Sequence, residues 1–373
     1  MAPPRIVWIL DQLGLGGAER LALRFAAAPL PWRIELVALQ AAAPGALERL
    51  WGGQMAPLAG RVHHVAMQGL GDVGGWWRLR QLLAAWQPLL VHTHLRYATV
   101  WGGAAARWLG RPYVATVHLG PRPDRSRRQR LVAACERFSR RHAARVIYVS
   151  EAQRRSWGAV AARERAVIVG NGVGLPPAAP QAHPGQRRRL GLPQAATVFT
   201  TVAMVHAAKG WRTWLAAVEQ IAPARPGARF VWVGGGEEWE LLRAAAAASP
   251  AASQIRLPGV SSEVAAWLSV SDVFLFPSQE EAQPTAVMEA MAAGLPIIAT
   301  RLPAIEEVLD GCGLLVPVDD ADALAQAALA WSDSGNRVAA AAAAAARQRA
   351  AGPLSETRWC ERMVQLYEEV LAA

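Results

Sequence analysis

The sequence has almost no lysine. Lys209 is the only one, and every other member of its 39 Lys+Arg residues is arginine. An ordinary exposed cationic position in this chain takes Arg. The position that holds Lys is therefore a candidate for a compact ammonium rather than a planar guanidinium. Cysteine is also scarce: Cys135, Cys312 and Cys360 are scattered and odd in number. This argues against a disulfide framework and is read as free thiols in a reducing compartment. No apolar run free of charge reaches the roughly 18 residues of a membrane span. The opening stretch "MAPPRIVWILDQ" meets an acid at Asp11 and has no signal-peptide cleavage pattern. The expectation is a cytoplasmic protein.

What is present is apolar and unevenly charged. Hydrophobic residues make up 53% of the 373 and charged residues 18%, enough to bury sizeable cores, and the length suggests two domains. Residues 1–173 carry a balance of +15 and residues 174–373 a balance of −5, within an overall +10. The densest basic stretch is Pro121–Arg145, "PRPDRSRRQRLVAACERFSRRHAAR". It is read either as a solvated helix face or as a peripheral contact for anionic membrane head groups, on the inner face of the plasma membrane. Nucleic acid is not expected: no recognised module is present, and Phe138 is the only aromatic in the stretch.

Short β-rich runs alternate with helical stretches along the whole chain. In the first half they are 5–10, 34–39, 61–66, 89–92, 113–118, 145–150 and 166–169; in the second, 197–204, 229–234, 254–259, 272–277 and 295–300. Runs apolar on both faces suit parallel strands covered by helices. The reading is α/β: two doubly wound domains facing a cleft. Residues 1–173 form the N-terminal Rossmann-like domain. A Pro/Gly-rich linker spans 174–194, and residues 195–352 form the second Rossmann-like domain. In 353–373, Trp359, Met363, Leu366 and Val370 make one apolar stripe, predicting a helix that packs back across the junction.

Four motifs carry chemistry. "LGLGGAER" (13–20) follows the first strand, and its backbone N–H groups at Gly16 and beyond suit a phosphate or sugar oxygen. It resembles a dinucleotide fingerprint, but Glu19 replaces the third Gly. "ATVHLG" puts His118 at a strand end, where an imidazole can bond a substrate hydroxyl. "VHTH" puts His92 and His94 on one face without a third ligand at coordinating spacing, so no metal is expected. "TVAMVHAAKGW" places Lys209 at a helix start, where it can meet a diphosphate. "PSQEEAQPTAVMEAMAAGLPIIAT" (277–300) places Glu281 in a loop and Glu289 on a helix beginning near Thr285. One ligand with sugar, diphosphate and ribose would use both acids and the helix N-terminus between them.

With these motifs the chain resembles the family 4 glycosyltransferases of GT-B architecture over nearly its full length. The glycine loop, "TVHLG", "VIYVSEA", "VIVGNGV", "AKG", "VGGGEEWELL", the paired-glutamate segment and "VLDGCGLLVPVDDADALAQA" all match. The resemblance implies a nucleotide-sugar donor, UDP favoured, and a glycan or lipid-linked acceptor in cell-surface polysaccharide or lipopolysaccharide synthesis. It implies transfer with retention of configuration and no cofactor or bound metal. Lys209 would bind the diphosphate, Glu281 the sugar hydroxyls and Glu289 the ribose. Ala282, Gln283, Pro284, Thr285 and Ala286 would line the donor, largely through backbone N–H groups. Gly16 and Gly17 would approach from the other domain, and His118 would sit beside the reacting sugar. Two departures stand out: Met204 holds the place of a family arginine, for which Arg212 is the candidate substitute, and Ala282-Gln283 replaces Gly-aromatic. A nucleotide-sugar epimerase or sugar phosphorylase of the same fold remains an alternative. So do a nicotinamide-dependent oxidoreductase and a catalytically inactive scaffold.

Overall fold

The computed structural model describes residues 3–14, 16–40, 57–69, 71–121, 126–175, 184–333 and 336–373. The chain divides into two compact units, Met1–Gly172 with Trp359–Ala373, and Val173–Arg358.

Among the described residues, the first unit holds one seven-stranded parallel sheet. Its strands are β1 (Arg5–Leu10), β2 (Arg33–Ala38), β3 (Val62–His64), β4 (Leu90–His94), β5 (Tyr113–Val117), β6 (Arg145–Tyr148) and β7 (Ala166–Ile168), in the order β3-β2-β1-β4-β5-β6-β7. The crossovers include helices α1 (Gly17–Ala27), α2 (Val73–Trp86), α3 (Arg96–Trp108), α4 (Arg127–His142) and α5 (Glu151–Ser156). The two-residue period of β1 explains the layering. Ile6, Trp8 and Leu10 enter one core with Phe25, while Val7 and Ile9 enter the opposite core with Leu79 and Leu83. The first of these cores is completed by the C-terminal helix, Glu356–Ala372. Its Trp359, Met363, Leu366 and Val370 are all buried, and Tyr367 beside them is fully buried. Each such side chain contributes about 1.5–3 kcal/mol of burial.

The second unit repeats the plan. Strands β8 (Val198–Val202), β9 (Arg229–Val233), β10 (Ile255–Gly259), β11 (Val273–Phe276), β12 (Ile297–Thr300) and β13 (Leu314–Val316) form a parallel sheet in the order β10-β9-β8-β11-β12-β13. Its helices are α6 (Pro184–Arg189), α7 (Trp211–Ala224), α8 (Trp239–Ala248), α9 (Val264–Ser269), α10 (Thr285–Ala293), α11 (Pro303–Leu309), α12 (Ala321–Trp331) and α13 (Arg337–Ala351). Val198 and Val231 face one core; Phe199, Phe230 and Trp232 face the other.

The expected strands are present, with ends displaced by a few residues at most, as fraying ends allow. Strand β13 is an addition: three residues behind Gly311-Cys312-Gly313 are too short to show a period. The expected linker is only partly a connector. Residues 184–189 are helical, and Leu192 lies in the core of the second unit; residues 176–183 fall outside the described ones.

Both sheets have a topological switch point, β1/β4 in the first unit and β8/β11 in the second. There neighbouring strands send their following segments in opposite directions, leaving a crevice at the strand C-termini.

Candidate functional site

In the second unit, the segments leaving β8 and β11 are joined by hydrogen bonds. The carbonyl of Ala208 accepts from the Gln279 backbone N–H at 2.8 Å and from the Ser278 hydroxyl at 3.2 Å. The Thr300 hydroxyl in turn donates to the Ser278 carbonyl, and the Gln279 side chain donates to Asp319 at 2.5 Å. The segment after β8 passes through a short 3-10 turn, Ala207–Lys209, and reverses at Gly210 into α7. Gly210 has φ +69°, and a Cβ there would stand 1.9 Å from the Pro277 carbonyl oxygen, so no other residue fits. Gly234 serves the same segment. It has φ +144°, and a Cβ would stand 1.9 Å from the Ala203 oxygen.

This arrangement brings Lys209 Nζ to 2.5 Å from Glu281 Oε1, with side chains 21% and 9% exposed. The ammonium has three donors and this contact uses one. Close by in sequence, α10 begins at Thr285 with no side-chain cap on its N-terminus, where unpaired N–H groups and the dipole favour an anion. Ala282, Gln283, Thr285, Ala286 and Glu289 are half-buried and Pro284 is buried. Lys209 and Glu281 are thus in direct contact, and Glu289 lies in the second turn of α10.

Arg212, the candidate for the cation that Met204 does not supply, is paired with Glu238. Its guanidinium lies 3.3 Å from Glu238 and 4.1 Å from the Trp211 ring centroid. The Trp211 and Arg212 hydrogen bonds hold the Glu238 carboxyl below its ordinary range. Met204 itself is exposed.

In the first unit, polar groups gather at the β1/β4 switch point. Gly16 is the N-cap of α1, again without a side-chain cap; Leu15 lies outside the described residues. The space where a Cβ on Gly16 would stand is taken by the Glu19 carboxylate, 2.2 Å from that position. Burial raises the Glu19 pKa, opposed by its own backbone N–H and that of Gly14. Asp11, directly after β1, accepts from the Ala98 N–H at 2.6 Å and the Tyr97 N–H at 3.3 Å, closing the N-terminus of α3. Burial pushes its pKa up to about 6 against those two bonds.

His118 is half-buried just beyond β5. Its Nε2 lies 2.9 Å from His94 Nδ1, and the two rings stack at 5.2 Å. His94 stacks in turn near His92 at 4.0 Å, and Trp8 packs against both. His92 is tied at both nitrogens, to Tyr367 Oη at 2.5 Å and to Thr116 Oγ1 at 2.6 Å. Burial pushes the His118 pKa down to about 4 and, with neighbouring imidazoles adding, lowers His92 and His94 too. At neutral pH His118 is an uncharged donor or acceptor. The pairing of His94 with His118 was not foreseen. The i, i+2 spacing of "VHTH" showed that His92 and His94 share a face, but not that β5 would bring His118 beside them.

The basic stretch is resolved into surface and core. Residues 122–125 fall outside the described ones. Helix α4 opens on a Ser126/Gln129 capping box and exposes Arg127, Arg128, Arg130, Leu131, Phe138 and Arg141. Arg140 is not part of that surface. It is 1% exposed, 2.9 Å from Glu164, and lies over the Trp157 ring at 4.2 Å. No described helix is long and apolar enough to cross a membrane.

Two Rossmann-like units, each gathering polar side chains at a switch point, are the units of the GT-B class of fold. Residues 15–175 match the family model described as Glycosyltransferase Family 4, and residues 196–333 that described as Glycosyl transferases group 1. The chain belongs to the family 4 glycosyltransferases. It is 31% identical over 268 residues to 2-deoxystreptamine N-acetyl-D-glucosaminyltransferase of Streptomyces fradiae, covering 66% of this chain and 63% of that one. It is 28% identical to the lipopolysaccharide core biosynthesis mannosyltransferase LpsB of Rhizobium meliloti, over 41% of this chain and 46% of that one. The matches thus span less than two thirds of these relatives' lengths. Among solved structures, Anabaena HepE in complex with UDP-glucose superposes with a TM-score of 0.81 at 19% identity, covering 98% of this chain and 99% of that one. WaaG, a glycosyltransferase involved in lipopolysaccharide biosynthesis, superposes at 0.76 with 16% identity, covering 97% and 99%.

Proposed function

We propose that this chain is a retaining glycosyltransferase that moves a sugar from a UDP-sugar to a hydroxyl of a glycan or lipid-linked acceptor in cell-surface polysaccharide or lipopolysaccharide synthesis. The observation that carries this reading is the Lys209–Glu281 pair at the β8/β11 switch point, next in sequence to the uncapped start of α10. The two ammonium protons not directed at Glu281 meet the donor diphosphate, together with the α10 backbone N–H groups. Glu281 accepts from hydroxyls of the donor sugar, and Glu289 from the ribose. As the bond from the anomeric carbon to the diphosphate breaks, negative charge grows on the leaving oxygen. Lys209 stabilises that charge more than it stabilises the ground state. The acceptor oxygen bonds the same face of the anomeric carbon, and its proton passes to the departing diphosphate. Neutral His118 supplies a hydrogen bond to a sugar hydroxyl. With a fixed cation and a helix N-terminus facing the diphosphate, no metal is needed.

UDP is supported by the similarity to HepE, whose complexes contain UDP, UDP-glucose, or UDP and glucose. The acceptor class is supported by the relatives in lipopolysaccharide and colanic acid synthesis. A second acceptor, a soluble aminocyclitol, is favoured by the two Streptomyces relatives. The exposed Arg, Leu131 and Phe138 of α4 support peripheral binding to an anionic membrane, on the cytoplasmic side.

The test is incubation with a panel of α-linked UDP-sugars, UDP-glucose included, EDTA and a second panel holding lipid-linked glycans and 2-deoxystreptamine, followed by proton NMR of the anomeric centre in the product. An α-linked product is expected. A β-linked product would overturn retention, and failure of every UDP-sugar to react would overturn the donor. For the membrane contact, Arg127, Arg128, Arg130 and Arg141 changed together to Glu should abolish cosedimentation with phosphatidylglycerol vesicles. Unchanged binding by that variant would remove α4 from the contact.

A further inference from the structure

A small cavity of about 10 Å³ opens in the first unit among Trp8, His94, Thr116, His118, Asn171 and Trp359. That is close to the room one water or one hydroxyl needs. His94 lines it, is 3% exposed, and has one nitrogen engaged, Nδ1 with His118. The other, Nε2, is the only histidine nitrogen among the described residues that is buried without a partner. Leaving such a group unpaired is costly, because its desolvation is not offset by a hydrogen bond.

The backbone next to that ring is strained. Leu95, the next residue, has φ +72° and ψ 178°, a region that residues other than glycine avoid. The residue is held there because Asp11 secures the N-terminus of α3 immediately after it. His94 thus ends β4 next to a strained residue, beside the β1/β4 switch point where ligands of such sheets bind.

We propose that this cavity is a subsite for a single sugar hydroxyl, received by His94 Nε2, and that a water takes its place when no sugar is bound. The chemistry selects a hydroxyl. One proton lies between His94 Nδ1 and His118 Nε2, and it belongs to either ring. If His94 holds it, Nε2 is a bare acceptor; if His118 holds it, Nε2 carries a hydrogen and must donate. A hydroxyl both donates and accepts, so it satisfies either arrangement, whereas a carboxylate or an ammonium satisfies one. A charged group would also be desolvated in so small a space. Because the two rings share a proton, the hydroxyl on His94 sets whether the other nitrogen of His118 donates or accepts. The subsite therefore orients His118 toward the sugar as well as holding it.

The inference rests on the sugar-binding reading above, and its test separates the two. Binding of UDP and of UDP-glucose is measured by calorimetry for the wild type, His94→Asn and His94→Gln. Asn places an amide where Nδ1 stands and so keeps the His118 bond but loses the subsite. Gln reaches the position of Nε2 and so keeps the subsite but loses the His118 bond. The affinity ratio of UDP-glucose to UDP should fall about tenfold in His94→Asn and stay near the wild-type ratio in His94→Gln, with UDP binding itself unchanged in both. The reverse order, or equal ratios in all three proteins, overturns the subsite. If the wild type does not bind UDP at all, the donor reading fails instead. The subsite is then judged from 15N spectra of the histidine side chains with glucose alone: displacement of the His94 Nε2 signal supports it, and an unmoved signal overturns it.

Discussion

Replacing Lys209 with alanine removes one ammonium and exposes two consequences that can be measured separately. The first is on binding. A charge-assisted contact to the donor diphosphate is worth about 1.5–3 kcal/mol, so UDP should bind roughly tenfold to a hundredfold more weakly. The second is on folding. Glu281 is 9% exposed and its cation stands 2.5 Å away. Without that cation a mostly buried carboxylate is left unpaired. A fully buried pair would lose about 3–5 kcal/mol when one partner goes. Because Lys209 is 21% exposed, water replaces part of the interaction and the expected loss is about 1–3 kcal/mol. For a unit of this size that lowers Tm by roughly 2–10 °C. The double variant Lys209→Ala/Glu281→Ala removes the unpaired charge, so it should recover most of the stability and none of the UDP affinity. Lys209→Arg keeps the charge and most of the stability but not the compact geometry, and should still bind UDP several-fold more weakly. Calorimetry and thermal denaturation of the four proteins read all of this. Wild-type UDP affinity in Lys209→Ala would refute the reasoning, whatever the stability does.

Gly210→Ala forces a methyl against the Pro277 carbonyl at a positive φ and should cost more than about 2 kcal/mol in urea denaturation, with UDP binding lost as Lys209 shifts. Tyr367→Phe leaves His92 Nδ1 buried without the hydroxyl now 2.5 Å away and should cost about 1–3 kcal/mol; a change under 0.5 kcal/mol would show that this bond is not holding the C-terminal helix to the histidine array. For Asp11, burial raises the folded-state pKa to about 6, above that of the unfolded chain. The folded state therefore holds the proton more tightly, and this group's contribution to stability falls as pH rises from about 4 to about 6. Asp11→Asn removes that loss. Its stability relative to wild type should grow by on the order of 2–3 kcal/mol between pH 4 and pH 7, and a difference independent of pH would contradict the assignment.

The doubly wound, parallel plan of both units was legible because both follow one rule, while the strand order came only from the structure. Runs apolar on both faces had to be parallel strands, and their alternation with helices fixed the crossovers. Lys209 and Glu281 were legible for different reasons, the one by its isolation in composition and the other by its place before a helix. Their contact was not, since it depends on Ala208, Ser278 and Gln279 joining two segments some 70 residues apart. The short strand β13 escaped because three residues carry no period. Arg140 misled because its sequence neighbours are surface arginines, while its side chain turns inward to Glu164. The burial of the Glu19 carboxylate against Gly16 and the His94–His118 bond are tertiary facts. They arise where loops from different strands meet, and no local pattern reports them.

The central claim is that the second unit holds a uridine diphosphate through Lys209. The most direct measurement is the thermal shift of the purified protein with UDP, GDP, ADP, their sugar conjugates and NAD, each alongside Lys209→Ala. At a hundred times its dissociation constant, UDP should stabilise the wild type by about 2.7 kcal/mol and raise Tm by roughly 5–10 °C, with little effect on the variant. A shift with NAD alone, with no nucleotide, or equally in the two proteins would contradict the account.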